Sequence, residues 1–184
     1  MSKVQTDNSY FFCKTKLRES FIKDIPDLKV LDCFHGTGRI WKQINNNRQN
    51  KISIIGIEKK KYKDEVYLKG DNIKFLTNMD LSIYQAIDLD AYGIPFDQLE
   101  ILFAKKYQGI VFITFIQSLF GQLPKGMLKV LDFTDKMIII IPSLFNIDGF
   151  EKFKSYLWKR GIKQISFINP QSKKYYIAIS MELE

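Results

Sequence analysis

The sequence is poor in the residue types that most often carry metal or covalent chemistry. Its 184 residues include two cysteines, Cys13 and Cys33, and a single histidine, His35. There is no Cys-x-x-Cys pair and no Cys/His cluster, so neither a zinc site nor a disulfide framework is expected, and a reducing compartment is the default. One histidine without a partner motif gives no means of building a Ser-His-Asp or Cys-His hydrolase. Long apolar runs are also missing. The longest, Gly109 to Ile116 and Met137 to Ile141, are too short to cross a bilayer. The N-terminus shows no apolar region after its lysine and no small-residue cleavage site, and the expectation is a soluble cytoplasmic protein. Arginine is scarce, limited to Arg18, Arg39, Arg48 and Arg160, so the net charge of +8 and the pI of about 9.3 come almost entirely from lysine. Such an excess suits a polyanionic partner, but it is also the usual solvated coat of an α/β protein. No repeat, low-complexity segment or linker interrupts the chain. It is read as one domain over 1–184, with an N-terminal helical segment, 1–26, packing on it.

What is present is a glycine turn in an informative place. Val30-Leu31-Asp32-Cys33-Phe34-His35-Gly36-Thr37-Gly38-Arg39-Ile40-Trp41 begins as an apolar β-type run, reaches an acid, breaks into Gly-x-Gly and resumes at helical spacing. That is a strand feeding a tight turn into a helix, the place where a doubly wound α/β fold holds an adenosine-containing cofactor. Gly36 and Gly38 suit a backbone that turns sharply and lies close to a ligand. A dinucleotide site usually carries a third glycine where this chain has the bulky Trp41, and its pyrophosphate would meet the charge of Asp32. A cationic sulfonium without phosphate tolerates Asp32 far better.

The pattern Asp-x-Phe-x-Gly-x-Gly, from Asp32 through Phe34 and Gly36 to Gly38, resembles the first motif of class I S-adenosylmethionine-dependent methyltransferases. Ser53-Ile-Ile-Gly-Ile-Glu58 is a second β-branched run ending in an acid, and Glu58 falls where such folds place a carboxylate on the ribose hydroxyls. Gly70-Asp71-Asn72 ends a third run, Val66 to Lys69. The resemblance puts an adenine contact there, and Asp71 is equally a good N-cap for a helix over 72–79. The fourth motif, Asp88-Leu89-Asp90-Ala91-Tyr92-Gly93-Ile94-Pro95, is similar to the acceptor motif of methyltransferases that modify exocyclic amines of nucleobases, nearest to tRNA guanine N2-dimethyltransferases. An aryl amine is a poor nucleophile because its lone pair is delocalised into the ring. A carboxylate accepting its N–H favours the pyramidal form that attacks a methyl group. Tyr92 offers a face on which a base can stack. Ala91 stands where the family has proline, so the loop is less constrained.

The resemblance thus implies S-adenosyl-L-methionine as cofactor, held by Asp32, Phe34, Gly36, Gly38, Glu58, Asp71 and Asn72. Asp90, Tyr92 and Gly93 fall at the acceptor, and an RNA or DNA base is the substrate. With no segment left over for target recognition, selectivity falls to the loops around Tyr92 and 117–126 or to a partner chain. The alternatives are a small-molecule or protein acceptor, or a member of the fold that binds the cofactor without turnover.

The remaining pattern fixes the fold class as α/β: a Rossmann-like, doubly wound, mainly parallel seven-stranded sheet with an antiparallel C-terminal strand. Strands are predicted over 29–34, 53–58, 66–69, 84–90 and 109–116, alternating with helices over 38–48, 72–79 and 96–106. A helix over 10–23 precedes them, and Phe11 to Leu17 loosely resembles the segment that closes over the methionine end of the cofactor in this family. The resemblance makes Lys14 or Lys16 a partner for the cofactor carboxylate, against the plainer reading of a solvated lysine. Asp148-Gly149-Phe150-Glu151 has the form of a capping box opening a helix to Arg160. Strands over 162–168 and 174–180, joined by 169–173, make an antiparallel hairpin. Met137 to Ile141 is β-branched, yet an eighth strand has no partner position, so 123–146 is read as helical or irregular.

Overall fold

The computed structural model of the protein describes residues 10–62, 66–117 and 122–182. Seven strands form one sheet: β1 (Lys29–Asp32), β2 (Ser53–Glu58), β3 (Leu68–Lys69), β4 (Ala86–Leu89), β5 (Gly109–Ile116), β6 (Ser166–Gln171) and β7 (Lys174–Met181). Their order is β3-β2-β1-β4-β5-β7-β6. The pairs among β1 to β5 are parallel, whereas β7 lies antiparallel between β5 and β6. The order reverses between β1 and β4, which opens a crevice at their carboxyl ends.

Helices cover both faces. Alternation along the strands sends Val30, Ala86, Phe112, Tyr176 and Ala178 to one side, where they pack with Leu17 and Ile22 of α1 (Phe11–Ile22) and Trp41 and Ile44 of α2 (Arg39–Asn46). Leu31, Ile87, Val111, Ile113 and Ile177 take the other side. There they meet Leu76 of α3 (Asn72–Asn78), Leu99 and Leu102 of α4 (Phe96–Ala104), Met127 and Leu128 of α5 (Lys125–Val130), Ile138 of α6 (Asp135–Ile140) and Phe153 of α7 (Gly149–Lys159). Among the described residues no helix is long and apolar enough to cross a membrane.

The segment 123–146, read as helical or irregular, is helical, with Met137 to Ile140 in α6, where Thr134 caps the helix by accepting from the Met137 N–H at 3.2 Å. Four other local expectations are revised. The capping box does not form. Asp148 is left-handed, with φ of 50°, and its side chain makes no cap bond, while Glu151 turns outward to Lys154 at 2.8 Å. The first hairpin strand begins at Ser166, not Ile162, since Ile162 is drawn into the core beneath the end of α7, its N–H bonded to Leu157 O. The hairpin turn is the tight Ser172-Lys173, with Lys173 at φ of 60°. The third strand is shorter than expected, starting at Leu68, with Lys63 to Glu65 outside the described residues.

Candidate active site

The crevice is built from the ends of β1, β2, β4 and β5. Gly36 and Gly38 both adopt left-handed backbone, φ of 55° and 64°, so the turn after β1 needs residues without a Cβ penalty. Its path is tied on both flanks, Cys33 N–H donating to Asp88 O and His35 N–H to Ile57 O. Glu58, at the end of β2, accepts from the Gly36 N–H at 3.0 Å through Oε2 and from the Lys60 N–H at 2.9 Å through Oε1. Each oxygen keeps a second lone pair. Asp32 accepts from the Phe34 N–H at 3.3 Å and faces His35 Nδ1 at 3.0 Å. The His35 ring lies on the turn itself, and Cβ atoms placed at Gly38 or Gly56 would come within 2.5 Å and 2.3 Å of it. Gly56 in mid-strand is thereby explained: the ring needs that space.

Asp71 caps α3, accepting from the Ile73 N–H at 3.0 Å, and pairs with Lys59 at 3.0 Å. Those two contacts, Lys59 foremost, hold its carboxyl below the ordinary value of 3.8. The Asn72 amide is committed inward, donating to Cys33 O at 2.8 Å and accepting from Gln98 at 3.0 Å, so it braces the turn from behind. Burial, then the charge of Asp32, raises the Cys33 thiol well above its usual value, which leaves it inert.

The deepest part of the crevice is a charge ladder between α1 and β4. Asp88 and Asp90 stand two apart on one strand direction, and Lys14 and Arg18 four apart on one helix face. Arg18 grips Asp88 with Nε at 2.8 Å and Nη2 at 2.7 Å, and the Trp41 indole N–H adds a third bond at 2.7 Å. Both charged side chains are within 2% of full burial. Burial pushes the Asp88 carboxyl up to about 6 against the pull of Arg18, with Asp32 and Asp90 adding to the rise. Asp32 is the register partner of Asp88 across β1 and β4. Above this pair, Lys14 Nζ lies 2.8 Å from each oxygen of Asp90, and Thr114 of β5 donates to the same carboxylate. Burial alone would raise Asp90, but Lys14, then Arg18 and Thr114, hold it below its ordinary value.

Phe11, Lys14, Asp32, Phe34, Gly38 and Asp90 enclose a recess of about 40 Å³ here, room for a few waters. Beside it the loop after β4 turns through Gly93, φ of 133°, whose carbonyl accepts from the Ile116 N–H. Ala91 is buried, and the Tyr92 ring is 77% exposed. Tyr92, Gly93, Ile116, Gln117, Gln122 and Pro124 line a second recess of about 200 Å³ with no charged side chain. Of the loops expected to confer selectivity, 118–121 lie outside the described residues.

Of the predicted residues, Asp32, Phe34, Gly38 and Asp90 line the first recess, Glu58 holds Gly36, Tyr92 and Gly93 line the second recess, Asp71 caps α3, and Asn72 lies behind the turn. The sequence reading missed the roles of Arg18, Asp88 and Thr114, and left Lys14 as a solvated lysine or a partner for a cofactor carboxylate, where the structure buries it on Asp90. The spacing of Lys14 and Arg18 on a helix, against Asp88 and Asp90 on a strand, was the available signal. Among the described residues no group of His, Cys, Asp or Glu is arranged to hold a metal.

No family model matches the chain, and no curated protein matches it in sequence. Solved structures do match. A SAM-dependent methyltransferase from Archaeoglobus fulgidus superposes with a TM-score of 0.56 at 15% identity, covering 92% of this chain and 93% of that one. The chain has the class I methyltransferase fold. Phosphoethanolamine N-methyltransferase 2 of Haemonchus contortus, solved with S-adenosyl-L-methionine, gives 0.57 at 11% identity, over 92% of this chain and 52% of its own. The small RNA methyltransferase HEN1 gives 0.56 at 11% identity, over the whole of this chain and 27% of its own. The chain thus spans nearly all of the archaeal protein, about half of the second and about a quarter of the third.

Proposed function

We propose that the protein is an S-adenosylmethionine-dependent methyltransferase whose acceptor is an exocyclic amine of a nucleobase. One observation carries the reading: three acids that end adjacent strands, Asp32, Glu58 and Asp90, surround a doubly left-handed glycine turn at the crevice of this fold. The donor set fits the cofactor. Glu58 has a free lone pair on each oxygen for the ribose hydroxyls, Asp32 offers negative charge to the cationic end, and Asp71 lies at the adenine side. The recess beside Phe11 and Lys14, about 40 Å³, is a narrow part of the crevice. When bound, the cofactor supplies an electrophilic methyl group.

The protein's own residues then have separable tasks. Asp90 accepts an N–H from the acceptor and favours its pyramidal form. Tyr92 presents a ring face, and in the uncharged recess beside it the exposed Gln122 offers an amide to a base edge, whereas Gln117 is committed inward to Phe145 O. The second reading, a cofactor-binding protein without turnover, is favoured by Ala91 in the loop after β4 and by the three donor bonds that Lys14 and Thr114 already make to Asp90. Calorimetry with S-adenosylmethionine and S-adenosylhomocysteine, followed by tritiated methyl transfer to tRNA, rRNA and DNA, separates the two. Binding with labelled base is expected, and binding with no labelled acceptor would hand the case to the second reading.

A further inference from the structure

We infer that Lys14 is a specificity-determining residue: its ammonium, resident on Asp90, bars alkylammonium groups from the acceptor site and leaves it to uncharged nitrogens. The inference rests on the methyltransferase reading above and extends it to a substrate class.

The geometry at Asp90 is that of an occupied amine site. Lys14 Nζ donates to both carboxylate oxygens at 2.8 Å, with side chains only 7% and 15% exposed, and its charge also lies 5.2 Å over the Tyr176 ring. Thr114 takes a further lone pair of the same carboxylate. A carboxylate offers about four such positions, so one direction at Asp90 stays open. Two acids of the crevice are matched by buried cations, and Arg39 also lines it. Arg18 answers Asp88, Lys14 answers Asp90, and Asp32 on the neighbouring strand faces His35 and the cofactor side of the turn. A lysine side chain or polyamine carries its own positive charge at neutral pH. It would meet Lys14 at close range in a site of low dielectric, with no further acid among the described residues that line the two recesses. The exocyclic amine of a base is uncharged and can use the open direction without displacing Lys14.

The inference is tested by removing the resident ammonium and supplying another. Lys14→Ala leaves Asp90 without its cation, bonded only by Thr114, above a small cavity, a site for a short alkylammonium. Thermal unfolding of wild type and variant is followed against n-butylammonium, with n-butanol as the uncharged control. The variant is expected to gain stability with n-butylammonium at concentrations at least tenfold below any effect on wild type, and nothing with n-butanol. The double variant Lys14→Ala/Asp90→Asn should lose the response. Should Lys14→Ala not fold, Lys14→Ser, whose short side chain also vacates the ammonium position, is read the same way. An equal response in wild type and variant overturns the inference. S-adenosylhomocysteine binding to wild type is measured alongside. Its absence would overturn the methyltransferase reading and the acceptor role with it, whereas its presence without ammonium rescue overturns only the role of Lys14.

Discussion

Asp88 shows how a buried charge in this crevice depends on its partners. Its carboxylate has three donors from two helices, Arg18 Nε and Nη2 from α1 and Trp41 Nε1 from α2. Removing one member of such a pair leaves the other desolvated and unanswered. Arg18→Ala is therefore expected to cost about 3–5 kcal/mol in chemical denaturation, whereas Arg18→Met combined with Asp88→Leu should cost far less or nothing. A double change as damaging as the single one would show that the pair adds net stability. Glu58 tests the cofactor side. Its carboxylate is partly spent on the turn, yet two open lone pairs remain, each charge-assisted bond being worth about 1.5–3 kcal/mol. Glu58→Ala should weaken S-adenosylhomocysteine binding by at least about tenfold in calorimetry while the protein stays folded. Unchanged affinity would reduce Glu58 to a brace for Gly36 and Lys60. The candidate residues were legible because strand ends and glycine turns leave local marks in a sequence. The partners of Asp88 and Asp90 were not, since Arg18 lies 70 residues from Asp88 and Lys14 76 from Asp90, and only the docking of α1 joins them.

At the scale of single elements, short capping motifs gave mixed guidance. Asp71 reads as an N-cap and is one, bonded to the Ile73 N–H. Asp148-x-x-Glu151 has the same form and fails, because its first residue is left-handed and Gly149 is pressed against Gln117, whose Oε1 would lie 2.1 Å from a Cβ there. The packing of α7 on β5 overrides the local preference. The run Met137 to Ile140 shows the opposite, with helix winning over β-branching because Thr134 supplies a cap and Ile138 is drawn into the core. Asp71 permits a test with a defined sign. Its folded-state pKa is depressed, so the stabilisation is complete above the ordinary value of 3.8 and disappears as pH falls through the lower folded value. Asp71→Ala should cost about 1 kcal/mol near neutral pH in urea unfolding, and the gap from wild type should close in that acidic window. Asp71→Asn should keep most of the cap, and its stability should lack this titration.

For the whole molecule, alternation of strand and helix followed by a terminal hairpin was enough to read the sheet. Each parallel step requires a crossover, and a two-stranded end can return only antiparallel. The lysine excess was not so informative, because composition says nothing about where charge lies. Binding experiments can separate its two meanings. Counterion release makes the affinity for a single strand fall with salt by a slope of about −0.7 for each phosphate neutralised. A base stacked on Tyr92 adds roughly 1–3 kcal/mol that does not depend on salt. Wild type and Tyr92→Ala should therefore give parallel lines when the logarithm of RNA affinity, from fluorescence anisotropy, is plotted against the logarithm of salt, with the variant lower by about tenfold or more. Tyr92→Phe should fall on the wild-type line, since the contact uses the ring face of a side chain that is 77% exposed. Coincident lines for wild type and Tyr92→Ala would remove Tyr92 from the acceptor site and leave only a basic surface that holds RNA without presenting a base to Asp90. A wild-type line with no slope would instead reduce the +8 charge to a solvated coat and remove nucleic acid as the substrate.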